Sequence, residues 1–356
     1  MRFCFFILLF LYPALLLNAQ NKTPILERAK AQALYKEAKA EFVRFEKEHG
    51  AFIQTKNVRM HYLTWGSPSG TPFIWSHGSL TNGYELFDVA PSLVKAGYYV
   101  IAIDYYGHGQ TTIPTHEVSL YHIADDLKEL MDKLKIKKAI IGGWSRGGYI
   151  STAFYDAYPD RVLGLVLEDG GSVNMNTYYH QMDPEKLGST LQKIEKDWPA
   201  DTSYASEFEA YYANYDTSTN GNQFNLLAWI TKNNKGRWAI SPGVIDLFHM
   251  RSARQWSDNI LHFTRVPLFA ESMSILEPKI VYRNLNVPLL ILDPISKDDF
   301  MPFEAENSSL QKQHPNYITH NIYKDTGHNI HYERPKQFIQ DLTVFLGKVK
   351  THNQLK

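Results

Sequence analysis

The sequence predicts an α/β fold, a mostly parallel sheet with helices on both faces, broken once by a long helical insertion. Three observations predict it. Short apolar, β-branched runs alternate with amphipathic helical stretches from about residue 52 to 170, and again from about 287 to 349. Between residues 171 and 275 that rhythm stops, in a stretch longer than a loop should be. Finally, Gly142-Gly143-Trp144-Ser145-Arg146-Gly147-Gly148 has the form G-x-S-x-G, between the apolar run Ala139-Ile140-Ile141 and a helical segment.

The 356 residues suit one large domain with an insertion, and 44% hydrophobic content is ordinary for a globular chain. Thirty-seven basic residues balance 37 acidic ones, so no net field favours nucleic acid or an anionic membrane. A small-molecule substrate fits better. Nothing in the pattern sets an oligomeric state.

Met1-Arg2, the apolar run from Phe3 to Leu17 and the small-residue exit at Ala19 read as a secretory signal peptide over residues 1–19, cleaved after Ala19. The expected location is secreted or periplasmic. The run is shorter than the roughly 20 residues of a spanning helix and contains Pro13, so stable membrane insertion of the mature chain is not expected. The single cysteine, Cys4, would leave with the leader, and no disulfide would remain.

Residues 20–50 read as an N-terminal helix, with Thr23 as cap, Pro24 in the first turn, Gly50 at the exit and Leu34, Ala38, Phe42 and Phe45 on one stripe. Residues 51–170 form the first part of the core. Two short strands break near Lys56-Asn57, and Phe73-Ile74-Trp75-Ser76 is a buried strand that runs into His77-Gly78-Ser79. The glycine lets the backbone bend, so the N–H of Ser79, or of Leu80, is a candidate oxyanion donor. His77 is read as bracing that turn rather than as a base. Tyr98 to Ile103 is a strand that ends in Asp104-Tyr105-Tyr106-Gly107-His108-Gly109, a structural loop without the lysine of a phosphate loop. Ile123, Ala124, Leu127, Leu130, Met131 and Leu134 mark a covering helix, and Val162 to Leu167 is the strand after the elbow.

The elbow carries the chemistry. A serine at a sharp strand-to-helix turn is held in a strained conformation, so the positions two before and two after must be nearly side-chainless. Gly143 and Gly147 fill them, and the N–H of Arg146 opens the following helix.

The insertion at 171–275 is expected to be a helical cap with Asn- and Gly-rich turns at Asn220-Gly221-Asn222 and Asn233-Asn234-Lys235-Gly236. Its Tyr178, Tyr179, Tyr211, Tyr212, Trp229, Trp238 and Trp256 either line a pocket or form the cap's own core. Residues 276–350 complete the core: a strand from Val287 to Leu292, a loop with Asp293, Asp298 and Asp299, a strand from Ile318 to Tyr323, a loop ending in Gly327-His328, and a last helix burying Phe338, Leu342, Phe345, Leu346 and Val349. Residues 351–356 are a polar tail. Two strand-end loops thus bring an acid and a histidine to the edge that carries Ser145.

Together these motifs resemble the α/β-hydrolase fold family over about residues 52–347: His77-Gly78, the Asp104 to Gly109 loop, the elbow at Ser145, the strand led by Pro288, and Gly327-His328 followed by Glu333-Arg334-Pro335. The resemblance implies a mostly parallel eight-stranded sheet, a cap inserted after the sixth strand, and Ser-Asp-His catalysis. Carried over, Ser145 is the nucleophile, His328 the general base and Asp298 the orienting carboxylate, with Asp299 as alternative acid and Asp293 as a remote one. The backbone N–H groups of Ser79 and Arg146 form the oxyanion hole; Gly143, Trp144 and Gly147 shape the elbow. No cofactor and no metal is expected: His331, three residues after His328, lacks supporting ligands, and His122 and His262 read as packing or surface residues. A serine nucleophile argues against the epoxide hydrolases and haloalkane dehalogenases of this fold, which attack with an aspartate.

The expected function is that of an exported serine hydrolase acting on a carboxylic ester of a small or medium apolar substrate. Alternatives are an aminopeptidase of the proline-iminopeptidase kind, for which Glu207, Glu209 and Glu271 could hold an amino terminus, and a carbon–carbon bond hydrolase. From another class comes a non-catalytic ligand-binding protein on the same scaffold.

Overall fold

The computed structural model describes residues 26–198, 202–217, 221–240, 244–297, 299 and 301–354. The expected leader with Cys4, the expected helix start at Thr23 and Pro24, Asp298, and residues 355–356 of the tail lie outside the described residues.

The chain begins with α1 (Arg28–His49), β1 (Gly50–Gln54), β2 (Arg59–Trp65), β3 (Thr71–Ser76), α2 (Ala90–Lys95), β4 (Tyr98–Ile103), α3 (Leu120–Lys133), β5 (Ala139–Trp144), α4 (Arg146–Ala157) and β6 (Val162–Glu168). An inserted segment follows, with α5 (Thr177–His180), α6 (Pro184–Asp197), α7 (Glu207–Asn214), β7 (Ile230–Lys232), β8 (Trp238–Ile240), α8 (Val244–Leu247), α9 (Ala253–Leu261), α10 (Leu268–Ile275) and α11 (Pro278–Val281). The core resumes with β9 (Leu289–Ile295), α12 (Glu304–Gln313), β10 (Ile318–Lys324), α13 (Ile330–Glu333) and α14 (Pro335–Gln354).

Eight strands form one sheet in the order β1-β2-β4-β3-β5-β6-β9-β10. The β1–β2 and β2–β4 pairs are antiparallel, and every other pair is parallel. This is the expected sheet. The alternation of side chains along each strand supplies two apolar faces. Ile74, Ile101, Ile141, Leu165 and Ile291 face α3 and α4, whereas Phe73, Trp75, Val100, Val166 and Leu290 face α2 and α14. All five residues expected on the buried side of α14 are buried, and each contributes roughly 1.5–3 kcal/mol of burial.

Gly50 stands at the exit of α1 as expected, in extended backbone with φ −82°, and the chain passes straight from helix into β1. One expectation changes. The insertion is not wholly helical, because β7 and β8 pair as a hairpin around the Asn233 to Gly236 turn. There the turn chemistry outweighed any helical pattern.

Among the described residues no helix is long and apolar enough to cross a membrane.

Candidate active site

Ser145 lies between β5 and α4 with φ 52° and ψ −119°, a positive φ that few non-glycine residues adopt. Its neighbours show why the turn needs glycine. A Cβ on Gly143 would lie 2.2 Å from the carbonyl carbon of Gly147, and one on Gly147 would lie 1.8 Å from the carbonyl oxygen of Ser76. Both distances are impossible for a side chain, so the two glycines are conditions of the elbow.

Because β5 and β6 pair with Trp144 opposite Glu168, the first residue past β6 arrives beside Ser145. The Ser145 N–H donates to the Glu168 carbonyl at 2.8 Å, and a Cβ on Gly170 would lie 2.3 Å from the Ser145 oxygen. Asp169, at φ 42°, is therefore held against the elbow, its own N–H donating to the Leu292 carbonyl at 3.0 Å.

His328 comes from the loop after β10. Trp144 Nε1 donates to its carbonyl at 2.6 Å, and the two rings lie 5.0 Å apart. The loop is fixed further by Glu333, which accepts from the Gly327 N–H at 2.9 Å, and by Arg334, which donates to Thr326 Oγ1 at 3.2 Å. The imidazole Nδ1 pairs with Asp169 Oδ2, both groups being buried. With Nδ1–H donating to that carboxylate, a neutral ring keeps Nε2 as its basic atom.

Among the described residues Asp169, rather than the alternative acid Asp299, pairs with His328. Asp298 lies outside the described residues. Asp299 is half-buried and accepts from the Met301 N–H at 2.9 Å, and Asp293 accepts from His320 Nε2 at 2.6 Å and Asn307 Nδ2 at 3.0 Å. Asp169 comes from the end of β6, which adjoins β5 in the sheet.

The electrostatics suit a neutral imidazole. Burial, with the nearby His331 adding to it, pushes His328 down to about 3. Burial raises Asp169 well above the usual carboxylate range, and Asp299, Asp293 and Glu168 add to that. Asp299 rises to about 6 through burial and the charge of Asp293.

A second pair lies beside the first. His331 Nδ1 binds both oxygens of Glu168, at 2.9 and 2.8 Å, and the His331 N–H donates to the same carboxylate at 2.9 Å.

On the oxyanion side, Ser79 is buried and its Oγ accepts from Arg146 Nε at 2.9 Å. Arg146 is the first residue of α4, so its N–H has no intrahelical acceptor. Leu80 is not the donor, because its N–H goes to His108 Nε2 at 3.2 Å. His77 braces the turn: Nδ1 donates to the Gly78 carbonyl at 2.7 Å, Nε2 accepts from the Tyr105 N–H at 3.3 Å, and its ring stacks on Tyr105 at 4.0 Å. Burial lowers His77 to about 4. Asp104 is structural too, accepting from the Gly83 N–H at 2.7 Å and from His61 Nδ1 at 2.7 Å.

The profile of the alpha/beta hydrolase fold matches residues 71–335. The chain belongs to the α/β-hydrolase fold family. Among characterised members of this family, it is 38% identical over 115 residues to a soluble epoxide hydrolase of Corynebacterium sp. (strain C12), covering 32% of this chain and 38% of that one. It is 36% identical over 128 residues to the 2-hydroxy-6-oxononadienedioate/2-hydroxy-6-oxononatrienedioate hydrolase of Escherichia coli O81 (strain ED1a), covering 35% and 44%. The matched stretches span less than half the length of these relatives. A thermophilic esterase from Thermogutta terrifontis superposes with a TM-score of 0.55 at 20% identity, over 84% of this chain and 98% of that one. At that identity the likeness concerns the fold.

Within this hydrolase fold, most of the aromatic residues named from sequence belong to the apolar clusters on the two faces of the sheet. Tyr211 and Trp229 are buried in the apolar cluster that also holds Ala38 of α1, and Tyr212 donates to the Leu26 carbonyl at 2.8 Å. The inserted residues that reach the oxyanion side are Phe248, Met250 and Phe269, around the Arg146 side chain. No periodicity singles them out. Glu207 and Glu209, offered as anchors for a peptide amino terminus, are taken by α1: Glu207 by Tyr35 and by Lys39 at 2.6 Å, Glu209 by Arg28. His262 is exposed, and His122 Nδ1 accepts from the Ser119 N–H at 3.1 Å at the start of α3.

Proposed function

We propose that the protein is a serine hydrolase that cleaves a carboxylic ester through an acyl-enzyme. Ser145 is the nucleophile, His328 the general base and Asp169 the carboxylate that orients it. The observation that carries this reading is the buried Asp169–His328 pair set against a serine in a strained strand-to-helix turn.

Ser145 Oγ attacks the carbonyl carbon while its proton passes to His328 Nε2, and the developing oxyanion accepts from the N–H groups of Ser79 and Arg146. The carbonyl–oxygen bond to the leaving group breaks as His328 returns the proton to the departing alkoxide. Water, deprotonated by the same imidazole, then hydrolyses the acyl-serine. A neutral imidazole is what the first step requires, and burial keeps His328 neutral. The inserted segment roofs the site and, with residues 1–19 as an export signal, completes the reading of an exported hydrolase.

A serine rather than a carboxylate at the elbow argues against epoxide hydrolysis, despite the epoxide-hydrolase relatives. Carbon–carbon bond hydrolysis is the second reading, favoured by the similarity to the E. coli dioate hydrolase. The aminopeptidase reading weakens because Glu207 and Glu209 are engaged.

The test is labelling by a fluorophosphonate, wild type beside Ser145→Ala, located by mass spectrometry. Labelling confined to Ser145 is expected. A folded wild type that takes no label would overturn the reading.

A further inference from the structure

The side chain of Arg146 is left over by this mechanism, which uses only its backbone. It is 4% exposed, yet among the described residues no carboxylate pairs with it. Its neighbours are neutral: Nε donates to Ser79 Oγ at 2.9 Å, Nη2 lies 3.8 Å from Met250 Sδ, and Cζ sits 3.8 Å over the Phe248 ring and 5.8 Å from that of Phe269. The ionisable groups coupled to it are Tyr105, Tyr149 and the buried His108, none of which carries a negative charge at neutral pH.

Burying a charge without a counter-charge costs several kcal/mol, and neutral acceptors recover only part of that. Methionine or leucine would satisfy Phe248 and Phe269 as well and would avoid the cost. An uncompensated buried cation is accounted for when an anion arrives with the ligand. Its place is apt: it follows the nucleophile, touches the oxyanion loop through Ser79, and lies beneath residues of the inserted segment. Burial lowers its own affinity for the proton only to about 10, so it remains a cation at neutral pH.

We infer that the Arg146 guanidinium is a substrate-recognition group, and that the substrate carries a carboxylate near the scissile carbonyl. A planar fork of N–H donors matches a carboxylate, and the aromatic face of Phe248 holds that fork in place. This deepens the ester-hydrolase reading and rests on it for the position of the scissile bond.

The experiment pairs two esters of similar length, 4-nitrophenyl hydrogen glutarate and neutral 4-nitrophenyl hexanoate, and reads the ratio of their kcat/KM values. Wild type is expected to favour the anionic ester by about tenfold or more, with the difference mainly in KM. In Arg146→Met the ratio should fall to about one or below, and in Arg146→Lys it should be retained in part. An unchanged ratio in Arg146→Met, or a wild type that prefers the neutral ester, would overturn the inference. If Arg146→Met does not fold, the wild-type ratio and Arg146→Lys decide.

Calorimetric titration of Ser145→Ala protein with glutarate, glutaramide and inorganic phosphate separates recognition from catalysis. Binding of glutarate alone supports the inference even if fluorophosphonate labelling fails and the hydrolase reading falls. No glutarate binding, or binding of phosphate in its place, sinks the carboxylate assignment while leaving a labelled Ser145 intact.

Discussion

Two acid–histidine pairs stand side by side in this protein, and they share almost everything except chemistry. Glu168 and Asp169 are consecutive at the end of β6, and their partners His331 and His328 are three residues apart after β10. All four side chains are buried. Consecutive residues at a strand end point to opposite faces. Glu168 and His331 therefore fall on the face that holds Trp75 and Phe338, with the His331 ring 6.0 Å from Trp75 and 5.8 Å from Phe338. Asp169 falls beside Ser145, and His328 beside Trp144, the residue before it.

The charge states diverge as well. Burial pulls both histidines down. For His331 the carboxylates of Glu168, Glu85 and Asp88 overcome that pull and raise it above its ordinary value, whereas His328 is pushed down to about 3. One pair holds a charged histidine and fastens a loop; the other keeps a neutral histidine on the side of the elbow, where the proposed mechanism needs its base. An acid–histidine contact alone does not mark catalysis. Position relative to the elbow, and the surrounding charge, decide.

The comparison breaks most sharply under substitution of the two acids. Asp169→Asn should lower kcat by about 10⁴ with the fold retained, because the imidazole loses the group that fixes its tautomer. Steady-state kinetics beside circular dichroism measures this, and a loss below tenfold would return the role of acid to Asp298. Glu168→Gln should do the reverse: a stability loss of about 3–5 kcal/mol in urea unfolding, since a buried charged partner is left unpaired, with kcat of the folded fraction within about tenfold of wild type.

Acidity sharpens the contrast. With His328 at about 3 against an ordinary 6.5, kcat/KM should show no inflection near pH 6.5. The two histidines also act on stability in opposite directions. Below pH 6.5 the unfolded chain binds a proton at His328 that the folded chain refuses, so this group lowers stability as pH falls from 6.5 toward 3. His331 is raised, so its contribution is fully present below 6.5 and is lost as pH rises through its folded value. Because the His331 charge helps to depress His328, His331→Gln should move the acid limb of the kcat/KM profile upward, and an unmoved limb would show that the two rings are independent. The smallest effect is expected from Asp299→Asn, a change in kcat below about tenfold, since its carboxylate accepts from Met301 rather than from His328.

Much of this was legible beforehand. Strand positions follow from apolar runs, and the elbow follows from a steric demand that only Gly143 and Gly147 meet. The Asp169–His328 contact was not legible, because Asp169-Gly170-Gly171 reads as an ordinary turn until the β5–β6 register places it beside Ser145. One signal was present: the adjacent acids Glu168-Asp169 match a pair of histidines, His328 and His331, at the other end of the chain. Phe248, Met250 and Phe269 stayed hidden because the inserted segment has no repeating pattern from which facing could be inferred.

One further consequence belongs to α1. It is bound to the insertion through Arg28, Tyr35, Lys39 and Glu41, which meet Glu209, Glu207 and Asn222, and to the sheet through Glu46, which meets His61 at 3.0 Å and the Tyr84 hydroxyl. The ion pairs toward the insertion are largely solvent-exposed and weaken with salt, but Tyr35 and Phe45 of the same helix pack on Tyr211 and Phe224, and His61, held charged between Asp104 and Glu46, is sealed from solvent. The helix thus ties the insertion to the sheet by charge at its surface and by apolar packing along its length. Ionic strength therefore loosens only the charged part of that tie, and the apolar part keeps the insertion seated.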